Sequence, residues 1–177
     1  MKELKIKSPL TGEEIKRLKA GDKVFISGIL YTARDAAHQR LKETIDKGDD
    51  LPIALQNQVI YYTGPTPAPP GHPLGSCGPT TSSRMDSFTP LLLREGLKGM
   101  IGKGDRSSEV IQAIQKYQAI YFIAIGGAGA LLAGAVRQAE VIAYDDLGPE
   151  AIYRLEVVDF PVFVAIDCEG RNIYNKS

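Results

Sequence analysis

The apolar positions change period along the chain, and the changes predict alternating strands and helices. Leu4–Ile6 reads as a short strand. Thr11-Gly-Glu-Glu14 has the spacing of a capping box, in which a hydroxyl and a carboxylate each satisfy a free amide at a helix start. It predicts a helix through about Leu18 that stops near Gly21. Val24–Tyr31, rich in β-branched and aromatic residues, predicts a strand, and helical apolar spacing follows over Arg34–Asp46 before Gly48-Asp49-Asp50. Gln58–Tyr62 reads as a strand, and the proline-rich stretch from Gly64 to Pro73 as a loop. A helix over Met85–Glu95, a strand at Gly99–Ile101, a helix near Ser107–Gln118 and a buried strand at Ile120–Ile125 follow. Beyond the glycine-rich Gly126–Ala130, strands are expected around 139–143, 152–158 and 162–166. The order is mixed α and β without a repeat. The single strands and turns flanking the proline loop cannot fold alone, so it is read as a stiff loop inside one domain covering residues 1–177.

Composition narrows the partners. A chain of 177 residues can bury a substantial core, and 44% hydrophobic with 24% charged residues is ordinary for a globular protein. Lys plus Arg and Asp plus Glu both number 21, so no basic excess points to nucleic acid. Any small anion must therefore be bound by a local arrangement. No apolar run approaches the roughly 20 residues that span a bilayer, and Met1 to Lys5 do not start a secretory leader. A cytoplasmic protein is expected.

That local arrangement is suggested by residues 76–86, Ser-Cys-Gly-Pro-Thr-Thr-Ser-Ser-Arg-Met-Asp. Gly78-Pro79 forces a turn, so the amides and hydroxyls from Thr80 to Ser83 are not all consumed by a ladder or a helix. At the start of the Met85–Leu93 segment they would meet the positive end of a helix dipole, and Arg84 can add a bidentate fork to the same anion. A plain capped helix start is the competing reading. Two further cations stand at strand-to-loop junctions: Arg34 after the strand ending at Tyr31, and Lys103 between two glycines after Met100-Ile101. Three such cations suggest one dianionic ligand.

The segments GPTTSSRMD at 78–86, TARDAAHQR at 32–40 and IGKG at 101–104 occur in the order and at roughly the spacing of a known family. Over nearly its whole length the chain resembles the β subunit of iron–sulfur-dependent class I hydro-lyases, as in two-subunit class I fumarate hydratases, equivalent to the C-terminal domain of the single-chain enzymes. The resemblance implies a swivelling β/β/α domain, an α/β fold with a small β-barrel-like core flanked by helices. It implies reversible hydration of fumarate to L-malate, a step of the tricarboxylic acid cycle. Thr80 would be the catalytic residue that handles the C3 proton, with Arg34, Arg84, Lys103 and Thr81 binding the C4 dicarboxylate. It also implies a 4Fe-4S cluster held by a cysteine-bearing α subunit, in an α2β2-like hetro-oligomer, with no metal held by this chain. Alternatives are the same architecture acting on L-tartrate or mesaconate, and a carboxylate-binding module without chemistry; Arg84-Met85-Asp86 favours fumarate.

Other features receive plainer readings. A dinucleotide fingerprint from Gly127 would need a small residue where Leu132 stands, and a phosphate loop ending at Gly102-Lys103 fails at Leu97 and Gly104. Close backbone packing is expected for Gly126–Gly129. Cys168 is expected as a core thiol; Cys77 can lie near the ligand, yet one cysteine cannot hold a cluster that needs about three or four thiolates. Asp35 is expected to stabilise its helix start and Asp86 to cap or pair locally, with His38 structural and His72 exposed or at an interface.

Overall fold

The structure, a computed structural model, describes residues 3–124 and 128–175. Two long strands set its frame, β2 (Lys23–Thr32) and β7 (Ile152–Ile166), paired antiparallel from Lys23↔Phe163 to Tyr31↔Arg154. Short strands β3 (Val59–Tyr61), β4 (Gly99–Gly102) and β5 (Ile120–Ile123) run parallel to β2. β5 then pairs antiparallel with β7, which closes a ring of five strands, β2-β3-β4-β5-β7. The spare halves of the long strands carry β1 (Glu3–Ser8) on β2 and β6 (Val136–Ala143) on β7.

Alternation along each strand sorts the apolar residues into two sets. Val24, Ile26, Val59, Tyr61, Ile101, Phe122, Leu155 and Val162 belong to the interior set of the barrel. Their neighbours Ile60, Tyr62, Met100 and Tyr121 face outward and are buried as well, beneath helices. These are α2 (Asp35–Asp46), α3 (Thr89–Arg94) and α4 (Ser108–Tyr117), which supply Leu41, Leu92, Leu93, Val110 and Ile114. Being buried on both faces explains why β3 to β5 read as continuous apolar runs rather than alternating ones. Each large apolar side chain removed from water contributes about 1.5–3 kcal/mol. The fold is thus the α/β, barrel-like core flanked by helices that the resemblance implied.

Local chemistry accounts for the element ends. Thr11 and Glu14 form the capping box of α1 (Gly12–Arg17), and Ser107 caps α4 through the Val110 amide at 3.3 Å. Two expectations need correction. The strands foreseen at 152–158 and 162–166 are one strand, because Asp159 sits at φ 51° in a bulge and its N–H donates to Ser27 Oγ at 3.0 Å, which carries the ladder past Pro161. The helix foreseen over Met85–Glu95 is a 3₁₀ turn, Ser82–Met85, followed by α3. Pro90, without an N–H, cannot continue a helical ladder from the preceding turn, so it starts a new helix instead. A short α5 (Gly129–Ala133) and a 3₁₀ segment at Asp145–Glu150 were not foreseen. Ile125, Gly126 and Gly127 lie outside the described residues. At Gly129 the chain does pass close to another backbone: a Cβ there would lie 3.0 Å from Gly78 N.

Candidate active site

Because β2, β3, β4 and β5 are parallel, their C-terminal ends lie along one edge of the barrel, the edge where open parallel sheets usually bind ligands. Arg34 follows β2 as the residue that precedes α2, and Lys103 follows β4. Two inter-strand spacings, about 10 Å, separate those strand ends. Thr80 and Thr81 enter between them. The Thr80 N–H donates to Tyr62 O at 2.7 Å, Thr81 bridges Lys103 in parallel, and the Ser82 N–H donates to Lys103 O at 2.9 Å. The segment thus takes the place that β3 leaves on β4. Only glycine permits this at 102, since a Cβ there would stand 1.9 Å from Ser82 Oγ.

This geometry revises the expected anion cradle. The amides of Thr80 and Ser82 are committed to the sheet, and the four-residue 3₁₀ turn that follows is too short to act as a helix dipole. Side chains remain. Among the described residues, neither threonine hydroxyl has a protein hydrogen-bond partner and Lys103, exposed, has no carboxylate within 4.0 Å. Arg34 Nε is buried without an acceptor, its nearest carboxylate oxygen, Asp35 Oδ1, being 3.9 Å away. The guanidinium lies against Gly64, where a Cβ would meet Arg34 Cδ at 3.1 Å. The proline loop therefore begins as a wall of the site.

Arg84 joins the group differently. Its Nε and Nη2 both donate to Asp35 at 3.0 Å, so its fork is already filled by a carboxylate. Asp35, expected chiefly to stabilise the start of α2 and alternatively to orient Arg34, ties the two arginines together. A ligand carboxylate would meet the remaining Nη1 edge of Arg84 or exchange with Asp35.

Beneath the site lies a buried polar cluster that sequence reasoning missed. Arg106, 5% exposed, donates from Nε to Asp86 Oδ1 at 2.6 Å and from Nη2 to Thr89 Oγ1 at 2.8 Å and Tyr62 OH at 3.2 Å. Its guanidinium stands 4.7 Å from the Tyr121 ring centroid and 5.3 Å from that of Tyr62. The Tyr121 hydroxyl lies 2.6 Å from Ser82 Oγ and 2.7 Å from Gly104 O. Burial opposes the charge of Arg106, but Tyr62 and Asp86 outweigh it and hold its pKa above the ordinary arginine value. Asp86 also accepts the Ser107 N–H at 2.8 Å, so it reaches across the chain and does not cap its own turn. The only available signal was an arginine and an aspartate, each beside a candidate motif, and sequence does not pair them.

His38 is buried, its Nδ1 2.8 Å from Arg34 O and its Nε2 without a partner. Burial first, and the charge of Arg106, lower its pKa to about 4, so it stands neutral as a structural histidine that supports the Arg34 backbone. His72 is exposed, on the rim of a separate cleft of about 570 Å³ that it shares with Arg137, Glu140 and Arg154. The cysteines do not fit a cluster site. Both are buried in the hydrophobic cluster that fills the barrel and extends to α1 and α5, and burial pushes the Cys77 thiol up to about 12 and that of Cys168 above its usual value. No group of three His, Cys, Asp or Glu suited to a metal occurs among the described residues.

The chain belongs to the family described as the fumarase C-terminus, whose model matches residues 1–177, the β-subunit or C-terminal type of domain in class I hydro-lyases. It is 42% identical over 153 residues to the anaerobic class I fumarate hydratase of Escherichia coli K12, covering 85% of this chain and 28% of that protein. Fumarate hydratase 2 of Leishmania major is 38% identical over 167 residues, 93% of this chain and 29% of the relative. A putative L(+)-tartrate dehydratase subunit beta of Methanocaldococcus jannaschii is 36% identical over 173 residues, 94% of this chain and 89% of that subunit. The chain thus spans under a third of those fumarate hydratases and most of the tartrate dehydratase subunit. No helix among the described residues is long and apolar enough to cross a membrane.

Proposed function

We propose that this chain is the β subunit of a class I hydro-lyase that interconverts fumarate and L-malate. The observation that carries the reading is the set of uncommitted donors, Arg34 Nε, the Lys103 ammonium and the hydroxyls of Thr80 and Thr81, gathered at one edge of the barrel. Arg34, Lys103, Thr81 and the free edge of Arg84 bind the two carboxylates and fix the substrate's orientation, which by itself can lower a barrier by several kcal/mol, roughly 7–11 at the limit. Thr80 handles the proton at C3: its oxygen takes that proton as malate loses water and returns it when fumarate is hydrated. A threonine oxygen is a poor base in water, and neighbouring cations favour its charged form. The 4Fe-4S cluster belongs in this reading to a cysteine-bearing α subunit, which supplies the opposite wall of the site in an α2β2-like assembly.

L-tartrate is the second reading, favoured by the relative that matches this chain in length as well as in sequence. Both readings predict a colourless isolated chain that gains activity only with an intact α subunit. The deciding variant is Thr80→Val, which removes the hydroxyl at nearly constant volume. In the assembled enzyme kcat should fall about 10²–10⁴-fold, the usual scale for a lost general acid or base. The isotope effect with C3-deuterated malate should also grow. A variant with near wild-type kcat would reduce Thr80 to a turn residue, and turnover of tartrate but not malate would select the second reading.

A further inference from the structure

We propose that Arg106 is the positioning residue of this site, a buried cation that holds the 80–86 segment, and with it Thr80, Arg84 and Lys103, in register with the barrel. The proposal rests on the site reading above, but its physical content is independent of any substrate. The segment has two backbone ties, Thr80 N–H to Tyr62 O and Ser82 N–H to Lys103 O. Below them, one guanidinium reaches Asp86 at the end of the 3₁₀ turn, Thr89 at the start of α3 and Tyr62 just past β3. It stacks on Tyr121 of β5, whose hydroxyl reaches both Ser82 and the Gly104 carbonyl next to Lys103. Each element that carries or flanks a candidate side chain on this side of the site is thus tied to one residue. The donors match this use: a planar fork serves three acceptors at fixed angles, which a lysine ammonium on a flexible stem cannot reproduce.

A cation whose side chain is shut off from water does not touch substrate, so it acts through the geometry it holds and through its charge, and a variant that keeps the charge isolates the geometry. Misplacement of the catalytic oxygen by about 1 Å can cost 10²-fold in rate. Two variants test this, Arg106→Lys, which keeps the charge, and Tyr121→Phe, which removes one hydroxyl with little change in volume. In the full-length chain, hydrogen exchange should accelerate at least tenfold at the Thr80 and Ser82 amides while the amides of β3 and β5 keep their protection. In the assembled enzyme, Arg106→Lys should lower kcat about 10–100-fold and change KM less than fivefold, with Tyr121→Phe moving the same way by a smaller factor. Unchanged exchange at Thr80 and Ser82 in both variants, or acceleration spread evenly over the barrel, would overturn the proposal. Should the wild-type complex lack hydro-lyase activity, the site reading falls, and the exchange comparison still decides whether Arg106 holds the segment.

Discussion

Arg106 and Arg84 each pair with an aspartate next to Ser82–Met85, one inside the protein and one at its surface. The Arg106 side chain is fully buried and Asp86 is 15% exposed, with 2.6 Å between them, whereas the Arg84 and Asp35 side chains are 50% and 37% exposed at 3.0 Å. Solvation makes them different devices. A buried pair is committed, because removing either member strands a charge where water cannot reach it. At the surface, water and salt compensate a broken pair, so its members can trade partners at little cost. The inner pair thus suits a fixed frame and the outer pair a carboxylate exchange. Arg84 already holds a carboxylate in the geometry that a dicarboxylate ligand would need.

The largest expected effect breaks the inner pair. Asp86→Ala should lower the unfolding free energy by about 3–5 kcal/mol in urea denaturation, against less than about 1 kcal/mol for Asp35→Ala. Equal losses from the two would erase the distinction between frame and exchangeable contact.

Sequence made part of this legible and hid the rest for a physical reason. Periodicity and caps are local, so the capping box at Thr11 and the Ser107 helix start were placed within a residue. Arg34, Lys103 and Thr80 were singled out as candidates because strand ends and turns are local features too. The committed amides of Thr80 and Ser82 were not foreseen, since their acceptors belong to Tyr62 and Lys103, about 20 residues away along the chain in each direction. The same holds for Arg106 with Asp86 and for Arg84 with Asp35, which are joined by tertiary packing alone.

His38 reports on both pairs, because Arg106 lowers its pKa and Asp35 raises it, after the dominant effect of burial. A folded-state pKa of about 4 below an unfolded value near 6.5 means that the unfolded chain binds the extra proton first. Its contribution to stability is therefore complete above about pH 6.5 and is lost as pH falls towards 4, by about 3 kcal/mol at most. His38→Gln should flatten the stability profile over that window, and Asp35→Asn should push the limb to lower pH. A profile indifferent to His38 would assign the acid limb to carboxylates.

A smaller effect concerns the outer fork as a ligand site. Arg84→Lys keeps the charge but loses the bidentate geometry, so KM for the dicarboxylate should rise about tenfold, roughly 1.4 kcal/mol, with a lesser drop in kcat. Steady-state kinetics on the assembled enzyme checks this. An unchanged KM would remove Arg84 from the carboxylate contacts and leave it a partner of Asp35 alone.

The smallest effect is the sharpest statement about the outer pair. A double-mutant cycle of Arg84→Ala and Asp35→Ala on unfolding should give a coupling of about 0.2–1 kcal/mol, the range of exposed pairs. That coupling should shrink as salt rises, since the Debye length drops from about 10 Å at 0.1 M to about 3 Å at 1 M. A weak, screened coupling leaves Arg84 free to accept a substrate carboxylate for little more than the cost of releasing Asp35. Coupling above about 2 kcal/mol, or one that ignores salt, would put the outer pair in the same class as Arg106 and Asp86. Arg84 would then be part of the frame, and carboxylate binding would fall to Arg34 and Lys103.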